Sequence, residues 1–504
     1  MSENLFDLLA RSIADPAAVA IETESGALIR YGDLLARTGR MANALVGLGL
    51  RPGDRLAAQV EKSPEAILLY LATVRAGGVF LPLNTAYTPA EMAYFLADAR
   101  PGIFVCDPAR LEALMPMAAA AGARVMTLDA KGCGTLAEAC DTAAAEFATI
   151  ARDADDLAAL LYTSGTTGRS KGAMLSHGNL SSNALALRQI WRFAPRDVLI
   201  HALPIFHTHG LFVATNVTLL SGASMILLPK LDPARVLALM ARASVLMGVP
   251  TFYVRLLGEA GLTREAAASM RLFVSGSAPL LADTHRNWMA RTGHAILERY
   301  GMTETNMNTS NPYDGERIPG AVGLPLPGVE LRVTDPASGA ELPPATIGMI
   351  EVRGPNVFKG YWQMPEKTAQ ELRADGFFIT GDLGRIDASG YLHIVGRDKD
   401  LIITGGFNVY PKEVEAEIDA IPGVVESAVI GLAHPDFGEA VTAIVVPADD
   451  TQTDGPAILT ALQTRLARFK QPKQVVFAQS LPRNAMGKVQ KNLLRDRFAG
   501  LYGA

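Results

Sequence analysis

Residues 162–172 read Tyr162-Thr163-Ser164-Gly165-Thr166-Thr167-Gly168-Arg169-Ser170-Lys171-Gly172, and they directly follow an apolar stretch, Leu157 to Leu161. The apolar stretch has the pattern of a buried strand. Glycines let a backbone approach a ligand closely, and consecutive N–H groups in a tight loop form a concave anion site. Five Ser or Thr residues add hydroxyl donors, and Lys171 adds a positive charge. The run therefore predicts a strand followed by a loop that holds a polyphosphate.

The spacing of this loop differs from that of a Walker loop. A Walker loop has the pattern G-x-x-x-x-G-K-[ST], whereas here two residues separate Gly165 and Gly168, and Gly172 follows Lys171. A flexible connection without function is the alternative explanation for a segment of this composition.

The run resembles the phosphate loop of the adenylate-forming superfamily, which includes acyl-CoA synthetases, luciferases and the adenylation domains of peptide synthetases. Ser170 stands where that family usually has Pro, a departure that leaves the hydrogen-bond donors of the loop in place. Further family motifs follow in the expected order: Leu203-Pro204-Ile205-Phe206-His207, Tyr300-Gly301-Met302-Thr303-Glu304, Thr380-Gly381-Asp382, Gly396-Arg397-Asp398-Lys399-Asp400, Gly405-Gly406-Phe407-Asn408-Val409-Tyr410-Pro411 and Pro482-Arg483-Asn484-Ala485-Met486-Gly487-Lys488. The resemblance covers the chain from Ala20 to Arg495 and argues against a flexible connection.

The composition argues against a role with nucleic acid or a membrane. The 504 residues are 49% hydrophobic and 19% charged, with a net charge of −5. Nucleic-acid binding needs a clustered positive surface, and no apolar stretch is long enough for a membrane span. The three cysteines, Cys106, Cys133 and Cys140, show no metal or disulfide spacing, and the start has no secretory pattern. We expect a cytoplasmic protein with small-molecule substrates and no obligatory protein partner.

Alternating helix and strand patterns predict an α/β fold with two domains. Residues 1–398 are expected to form a large N-terminal α/β domain of several subdomains, and residues 399–504 a small, mobile C-terminal α+β domain. Alanine-rich stretches at Ala118 to Ala121 and Ala143 to Ala145 predict surface helices. The resemblance places a hinge at Lys399, about which the small domain turns.

The resemblance implies that ATP and Mg²⁺ are bound by residues of the N-terminal domain. The phosphate-binding set is Thr163, Ser164, Gly165, Thr166, Thr167, Gly168 and Lys171. The adenine slot is Ser277, Ala278, Pro279, Arg299, Tyr300 and Gly301. Asp382 is expected to accept hydrogen bonds from the ribose hydroxyls, and Arg397 to donate to the ribose or a phosphate. Thr167 and Glu304 are the expected ligands of Mg²⁺, which takes few protein carboxylates and keeps several waters.

The same resemblance implies a reaction in two steps. A carboxylic acid first attacks ATP to give an acyl-adenylate, and the thiol of coenzyme A then displaces AMP. Lys488 is expected to stabilise the charge that develops in the first step, with Thr303, Glu304 and His207 as further catalytic residues. Gly405 and Gly406 are expected to line the tunnel for the pantetheine arm in the second step.

The acid pocket contains an unusual set of polar residues for a fatty-acid enzyme. By resemblance the pocket is lined by His207, Thr208, Arg255, Ser277, Met302 and Met307. A buried cation needs a partner, so an arginine in this pocket predicts a second carboxylate on the substrate, held by a bidentate pair. Malonate fits best, with methylmalonate as a secondary substrate. Arg286 is the second candidate for this role, and the alternative for Arg255 is that it faces solvent or pairs with Glu259.

Three other functions are compatible with the motifs. A short- or medium-chain monocarboxylate–CoA ligase would not depend on Arg255. A stand-alone adenylation domain would need a carrier protein instead of free coenzyme A. A scaffold that binds ATP without catalysis is opposed by the joint presence of Lys488, Glu304 and Asp382.

Overall fold

The computed structural model describes residues 2–163, 170–405, 407–448, 454–484 and 487–503. Its N-terminal domain contains two sheets whose central strands are parallel. The chain begins with α1 (Leu5–Ser12), β1 (Val19–Thr23) and β2 (Leu28–Arg30), and both strands lie at one edge of the second sheet.

The first sheet has six strands in the order β6-β5-β3-β4-β7-β8. Its elements are α2 (Tyr31–Gly47), β3 (Arg55–Gln59), α3 (Pro64–Arg75), β4 (Val79–Pro82), α4 (Pro89–Ala99), β5 (Ile103–Cys106), α5 (Leu111–Ala120), β6 (Arg124–Thr127), α6 (Thr135–Asp141), β7 (Leu157–Thr163) and β8 (Lys171–Ser176). β4 and β5 are buried along their whole length, as expected for parallel strands that are covered on both faces. β7 and β8 form an antiparallel pair, so the predicted phosphate loop connects two adjacent strands.

The second sheet has nine strands in the order β15-β14-β13-β12-β11-β9-β10-β1-β2. Its further elements are α7 (His177–Ile190), β9 (Val198–His201), α8 (Asn216–Leu220), β10 (Ser224–Leu227), α9 (Pro233–Leu239), β11 (Val245–Gly248), α10 (Pro250–Leu257), β12 (Leu272–Ser275), α11 (Ala282–Thr292), β13 (Leu297–Met302), β14 (Asn306–Ser310) and β15 (Leu324–Pro325). A π-helix, His209–Thr215, leads into α8. Ligands of such sheets bind beyond the carboxyl ends of the parallel strands.

Four antiparallel strands complete the N-terminal domain. The elements are β16 (Glu330–Thr334), β17 (Gly348–Arg353), α12 (Pro365–Glu371), β18 (Phe378–Ile386) and β19 (Leu392–Arg397). Glu351 is fully buried between these strands, where Arg332 and Arg373 compensate its charge.

The C-terminal domain is a small α+β unit with a hydrophobic core of its own. It contains β20 (Ile402–Thr404), β21 (Phe407–Val409), α13 (Pro411–Asp419), β22 (Val424–His434), β23 (Gly438–Pro447), α14 (Gly455–Leu462), β24 (Gln474–Phe477) and α15 (Lys491–Phe498). A short 3₁₀ turn, Asp398–Asp400, joins it to β19. The predicted fold class, a large α/β domain followed by a small α+β domain, is confirmed.

The prediction of surface helices from alanine content is confirmed at one stretch and wrong at the other. Residues 118–120 end α5, where Ala119 and Ala120 are exposed and Ala118 packs into the core. Residues 143–145 are not helical. Instead, Asn43 donates its side-chain amide to the carbonyl oxygens of Ala144 and Glu146, at 2.8 and 2.9 Å. These tertiary hydrogen bonds outweigh the weak helix propensity of three alanines.

Candidate active site

The two strands that flank the predicted phosphate loop bring Thr163 and Lys171 together. Thr163 ends β7, Lys171 begins β8, and the two residues are cross-strand partners. The loop residues Ser164, Gly165, Thr166, Thr167 and Gly168, which were predicted to bind phosphate or Mg²⁺, lie outside the described residues. Of that predicted set, the structure therefore places only the residues at the two ends of the loop.

Lys171 is held by two residues that the sequence analysis missed. Its Nζ lies 3.3 Å from Oε1 of Glu371 and 4.1 Å from the centroid of the Tyr361 ring. Backbone hydrogen bonds between residues 359–362 and β8 place Tyr361 beside this strand. No motif or spacing marks Glu371 as part of the site, because it comes from α12, 200 residues after Lys171.

Glu304 lies deep in the protein beside the same tyrosine. The Tyr361 hydroxyl lies 3.0 Å from Oε1 of Glu304 and 2.6 Å from Oε2 of Glu371. Burial raises the pKa of Glu304 above its usual value. Burial also acts to raise the pKa of Glu371, but hydrogen bonds from Lys367 and Tyr361 lower it overall. One hydroxyl therefore contacts two carboxylates whose pKa values are shifted in opposite directions.

Glu304 suits a magnesium ion that is shared with substrate phosphates. In the described part of the chain, no cluster of three or more His, Cys, Asp or Glu side chains could hold a metal ion by itself. Mg²⁺ bound by one carboxylate and by phosphate oxygens needs no such cluster. The donor set thus fits Mg²⁺ that arrives with ATP.

Asp382 accepts hydrogen bonds from two neighbouring side chains that were also predicted to bind the nucleotide. The hydroxyl of Tyr300 lies 2.6 Å from its Oδ2, and Nε of Arg397 lies 2.7 Å from its Oδ1. The carboxylate raises the pKa of Arg397. Tyr300, a buried residue within β13, is therefore both a core aromatic and a hydrogen-bond donor at the site. Gly301 follows it, and a Cβ on Gly301 would lie 1.9 Å from the carbonyl oxygen of Asn306.

Lys488 extends from the C-terminal domain into this site. Its backbone N–H donates to Oδ1 of Asn484 at 3.0 Å, and Gly487 has the positive φ of +74° that a tight turn requires. A Cβ on Gly487 would lie 3.3 Å from Thr251 of α10, so the turn touches the N-terminal domain. Burial and the charge of Arg397 together lower the pKa of Lys488 to about 8, against the opposing effect of Asp382.

The predicted acid pocket contains the buried imidazole of His207, which is affected by two cations. Burial lowers the pKa of His207 to about 4, and the charges of Arg299 and Lys488 act in the same direction. His207 is therefore neutral at physiological pH. The charges of Arg299 and Lys488 both reach His207, so the structure brings residues of the two domains close to one another here.

Arg299 is buried, and none of the residues that the structure describes forms an ion pair with it. It is 3% exposed, and its Nε and Nη2 have no hydrogen-bond partner among the residues the structure describes. Burial lowers its pKa to about 9. The guanidinium lies against the backbone of Gly276, where a Cβ would approach Cζ to 2.5 Å. An unpaired buried guanidinium is costly, and a carboxylate from a ligand would remove this cost.

The other predicted pocket residues lie on the segments that follow β9 and β12 and on the hairpin of β13 and β14. Thr208 is buried and its hydroxyl has no partner among the described residues. Ser277 has a φ of +70°, and its hydroxyl lies 3.2 Å from Nδ1 of His209. Met302 ends β13 and Met307 lies buried in β14. Ala278 and Pro279 follow Ser277 in a more exposed turn, and Thr303 is half-buried beside Glu304.

The predicted role of Arg255 in the acid pocket is not supported by its position. Arg255 is exposed on α10, because this helix buries Tyr253 and Leu256 on its inner face. Arg286 is also on the surface, where it pairs with Asp283. Both arginines can be hydrated without a substrate. Arg299, which the sequence analysis assigned to the adenine slot, is the buried cation instead.

The face predicted to receive the pantetheine arm lies on the hairpin β20–β21. Gly405 has a φ of +56°, and its N–H donates to the carbonyl of Phe437 at 2.8 Å. Gly406 lies outside the described residues. Phe407 is 56% exposed next to these glycines, and Lys399 is exposed in the 3₁₀ turn. The apolar exposed surface of this hairpin is available to a ligand or to another face of the protein.

Comparisons with known proteins match the whole chain. A family model of AMP-binding enzymes matches residues 10–362, and a model of their C-terminal domain matches residues 413–488. Feruloyl-CoA synthase of Amycolatopsis sp is 38% identical over 97% of this chain and 97% of its own length. Malonate–CoA ligase of Arabidopsis thaliana is 33% identical over 91% of this chain and 80% of its own length.

Solved structures give a similar result. ATP-bound MatB from Rhodopseudomonas palustris is 66% identical, with both chains fully covered and a TM-score of 0.99. The apo structure of MatB from the same organism has a TM-score of 0.87 at the same coverage. Among the residues described for this chain, no helix is both long and apolar enough to cross a membrane.

Proposed function

This chain belongs to the AMP-binding enzyme family, and we propose that it joins malonate to coenzyme A through a malonyl-adenylate. ATP, Mg²⁺ and coenzyme A are the reactants and cofactor of such a ligase. The first step releases pyrophosphate, and the second releases AMP. The cytoplasmic location and the absence of an obligatory protein partner stay predictions from the sequence.

The observation that carries the choice of acid is the unpaired guanidinium of Arg299. A malonate whose reacting carboxylate lies near Lys488 has its second carboxylate only one methylene away. The charges of both Lys488 and Arg299 lower the pKa of His207, so both cations lie within electrostatic range of this one imidazole. The second carboxylate would form a charge-assisted pair with Arg299, the role that the sequence analysis gave to Arg255. Similarity to malonate–CoA ligase and to MatB over nearly the whole chain supports the same conclusion.

In the first step, the protein mainly positions and stabilises charge. Lys171 and the loop after Thr163 hold the outer phosphates, and Glu304 would hold Mg²⁺, which would supply further positive charge there. Asp382 holds the ribose, with Tyr300 and Arg397 as its hydrogen-bonded neighbours. Lys488 stabilises the negative charge that builds up between the attacking carboxylate and the α-phosphate. Thr303 and the neutral His207 border the same position.

In the second step, the thiol of coenzyme A attacks the carbonyl of the adenylate. The C-terminal domain turns about Lys399, with the domain boundary between residues 398 and 399. This turn withdraws Lys488 and presents Gly405 and Gly406. Methylmalonate is a secondary substrate, because Thr208 and Met307 limit the room for a branch.

A monocarboxylate ligase is the second candidate. The 38% identity to feruloyl-CoA synthase favours it, since that relative acts on an acid without a second carboxylate near the first. An apolar or aromatic acid would leave Arg299 unpaired, which the cost of a buried cation disfavours.

The experiment measures AMP release with ATP, Mg²⁺ and coenzyme A for malonate, methylmalonate, succinate, acetate, octanoate and ferulate. Wild type is compared with Arg299→Met and with Arg255→Ala as the surface control. We expect malonate to be preferred and its kcat/KM to fall about 100-fold or more in Arg299→Met, the cost of losing a buried charge-assisted pair. Arg255→Ala should match wild type. A preference for ferulate or octanoate, or an Arg299→Met enzyme with unchanged malonate activity, would reject the assignment.

A further inference from the structure

Lys62 and His201 form a contact between the two sheets of the N-terminal domain. Lys62 follows β3 of the first sheet, and His201 is the last residue of β9 in the second. Nζ of Lys62 lies 3.0 Å from Nδ1 of His201 and 2.8 Å from the His201 carbonyl oxygen. In the described part of the chain, no carboxylate lies within ion-pair distance of Lys62. The lysine is therefore directed at the histidine and not at an acid.

The other ring nitrogen of His201 binds a backbone carbonyl. Nε2 lies 2.9 Å from the carbonyl oxygen of Gly210 and 3.2 Å from the hydroxyl of Thr215. A carbonyl can only accept, so Nε2 carries the proton and donates it. His201 is fully buried and burial keeps its pKa well below the usual value, so the ring is neutral. Nδ1 is then an acceptor, which a lysine amine can satisfy.

The carbonyl of Gly210 lies in the segment that forms the acid pocket. Thr208 and His209 precede Gly210 directly, and the π-helix His209–Thr215 starts there. π-helical turns have an irregular hydrogen-bond pattern and occur often at functional sites. Gly210 is also tightly packed, since a Cβ on it would lie 2.0 Å from the carbonyl oxygen of Pro204. A shift of this carbonyl would move Thr208 and His209.

We propose that Lys62 and His201 are positioning residues for the acid pocket. Lys62 fixes the tautomer of His201, and His201 then holds the Gly210 carbonyl, which sets the orientation of Thr208 and His209. This proposal rests on the proposed function for the identity of the acid. The hydrogen bonds that link Lys62, His201 and Gly210 are observed independently of it.

The pair acts on the segment that carries Thr208 and His209, and the predicted nucleotide residues lie on other segments. Of these, Ser277 contacts this segment through its hydroxyl, 3.2 Å from Nδ1 of His209. The effect on the binding of ATP is therefore expected to be smaller than the effect on the binding of the acid.

Kinetics of three variants test this chain of contacts. Lys62→Met removes the donor to Nδ1, and His201→Leu removes both hydrogen bonds. His201→Gln keeps an amide donor that reaches toward Gly210. We expect the KM for malonate to rise about tenfold in Lys62→Met and more in His201→Leu, with the KM for ATP changed less than twofold. His201→Gln should recover most of the loss, and the double variant Lys62→Met/His201→Leu should be no worse than His201→Leu alone.

Lys230→Met is the matched control, because Lys230 is exposed near the end of β10 and should tolerate the same change. The proposal is overturned if Lys62→Met raises the KM for both substrates equally, or lowers only the thermal stability. It is also overturned if the effects of the two single variants add.

Nitrogen NMR on histidine-labelled wild type tests the tautomer even if a variant does not fold. A neutral His201 with its proton on Nε2 is expected, and a proton on Nδ1 would overturn the proposal. Lys62→Met should shift the Nδ1 resonance of His201. This measurement needs no substrate, so its outcome is separate from that of the malonate assay.

Discussion

Lys488 is a residue whose chemistry depends on where the fold places it. A lysine in a polar turn is normally hydrated, but here the side chain lies among Arg397, Asp382 and His207. We expect Lys488→Ala to lower malonate-dependent pyrophosphate exchange by about 100-fold or more, since preorganised charge is lost where negative charge develops. The thiol step from supplied malonyl-adenylate should keep most of its rate. Equal loss of both half-reactions would contradict this role.

The pH dependence of adenylation follows from the same residue. The pKa of Lys488 is lowered to about 8, and the protonated amine is the form that stabilises charge. The kcat/KM for pyrophosphate exchange should therefore fall as the pH rises through about 8, because it reports the free enzyme. Thioester formation from supplied malonyl-adenylate should instead rise over this range, as the thiolate fraction of coenzyme A grows. An exchange rate that stays flat from pH 7 to 9.5 would show that another group carries the charge.

Motifs in the sequence indicate which positions are candidates for the site, whereas packing decides which side chains face it. The motifs led to Glu304, Asp382 and Lys488. The charges of Asp382 and Glu304 both act on Arg397, and that of Asp382 acts on Lys488, while their roles in the reaction stay predictions. Arg255 was chosen because a pocket segment contains an arginine, but the motif does not specify which side chains face inward. Arg299 could not be recognised from the sequence as a cation without a partner among the described residues, because this depends on which side chains distant segments place beside it.

At the scale of elements, one helix carried a signal that would have corrected this choice. In α10, Tyr253 and Leu256 are three residues apart and both are buried, so they define the inner face. Arg255 lies about 100° away from Leu256 on a helix of 3.6 residues per turn and so falls outside that face. Glu371, in contrast, reaches Lys171 from α12 through the tertiary fold alone. The spacing of apolar residues in α12 does not predict that contact.

Helix α13 contains a carboxyl group that limits stability at high pH. Burial raises the pKa of Asp419 to about 7, and the neighbouring Glu415 and Glu426 act in the same direction against a hydrogen bond from Ser427. Its Oδ1 has no partner in the described structure. Asp419 also ends the helix, where a negative charge opposes the helix dipole. The folded state therefore favours the protonated form.

The stability contributed by protonated Asp419 is fully present below the unfolded pKa of about 4 and is lost as the pH rises through about 7. At pH 8 we expect Asp419→Asn to raise the free energy of unfolding by about 2 kcal/mol, after allowance for partial exposure, and so to raise the unfolding temperature. At pH 4 the variant and wild type should unfold together. Scanning calorimetry at both pH values measures the difference, and Asp436→Asn in an exposed turn is the control. A gain of equal size at both pH values would point to a cause other than titration.

At the scale of the whole molecule, the arrangement of the domains resembles one state of a related enzyme. The TM-score is 0.99 with ATP-bound MatB and 0.87 with apo MatB, at equal coverage and identity. The same arrangement places Lys488 beside His207 and leaves Phe407 exposed. Sequence motifs predicted both surfaces of the C-terminal domain but not which one faces the site. That choice depends on bound ligands and on small energy differences between orientations.

A change of orientation between the two steps requires backbone rotation at the joint between the domains. Lys399 lies exposed in the 3₁₀ turn Asp398–Asp400, directly after β19. Because proline fixes φ near −65°, Lys399→Pro should retain pyrophosphate exchange within about twofold and lose thioester formation by about 100-fold or more. Lys399→Ala is the matched control, since it removes the charge but leaves rotation free, and it should retain both steps. Quenched-flow measurement of malonyl-CoA formed from supplied malonyl-adenylate reports the second step separately from the first. Full thioester formation in Lys399→Pro would show that rotation at Lys399 is not required. Loss of thioester formation in Lys399→Ala as well would show that the side chain, and not the backbone rotation, is needed.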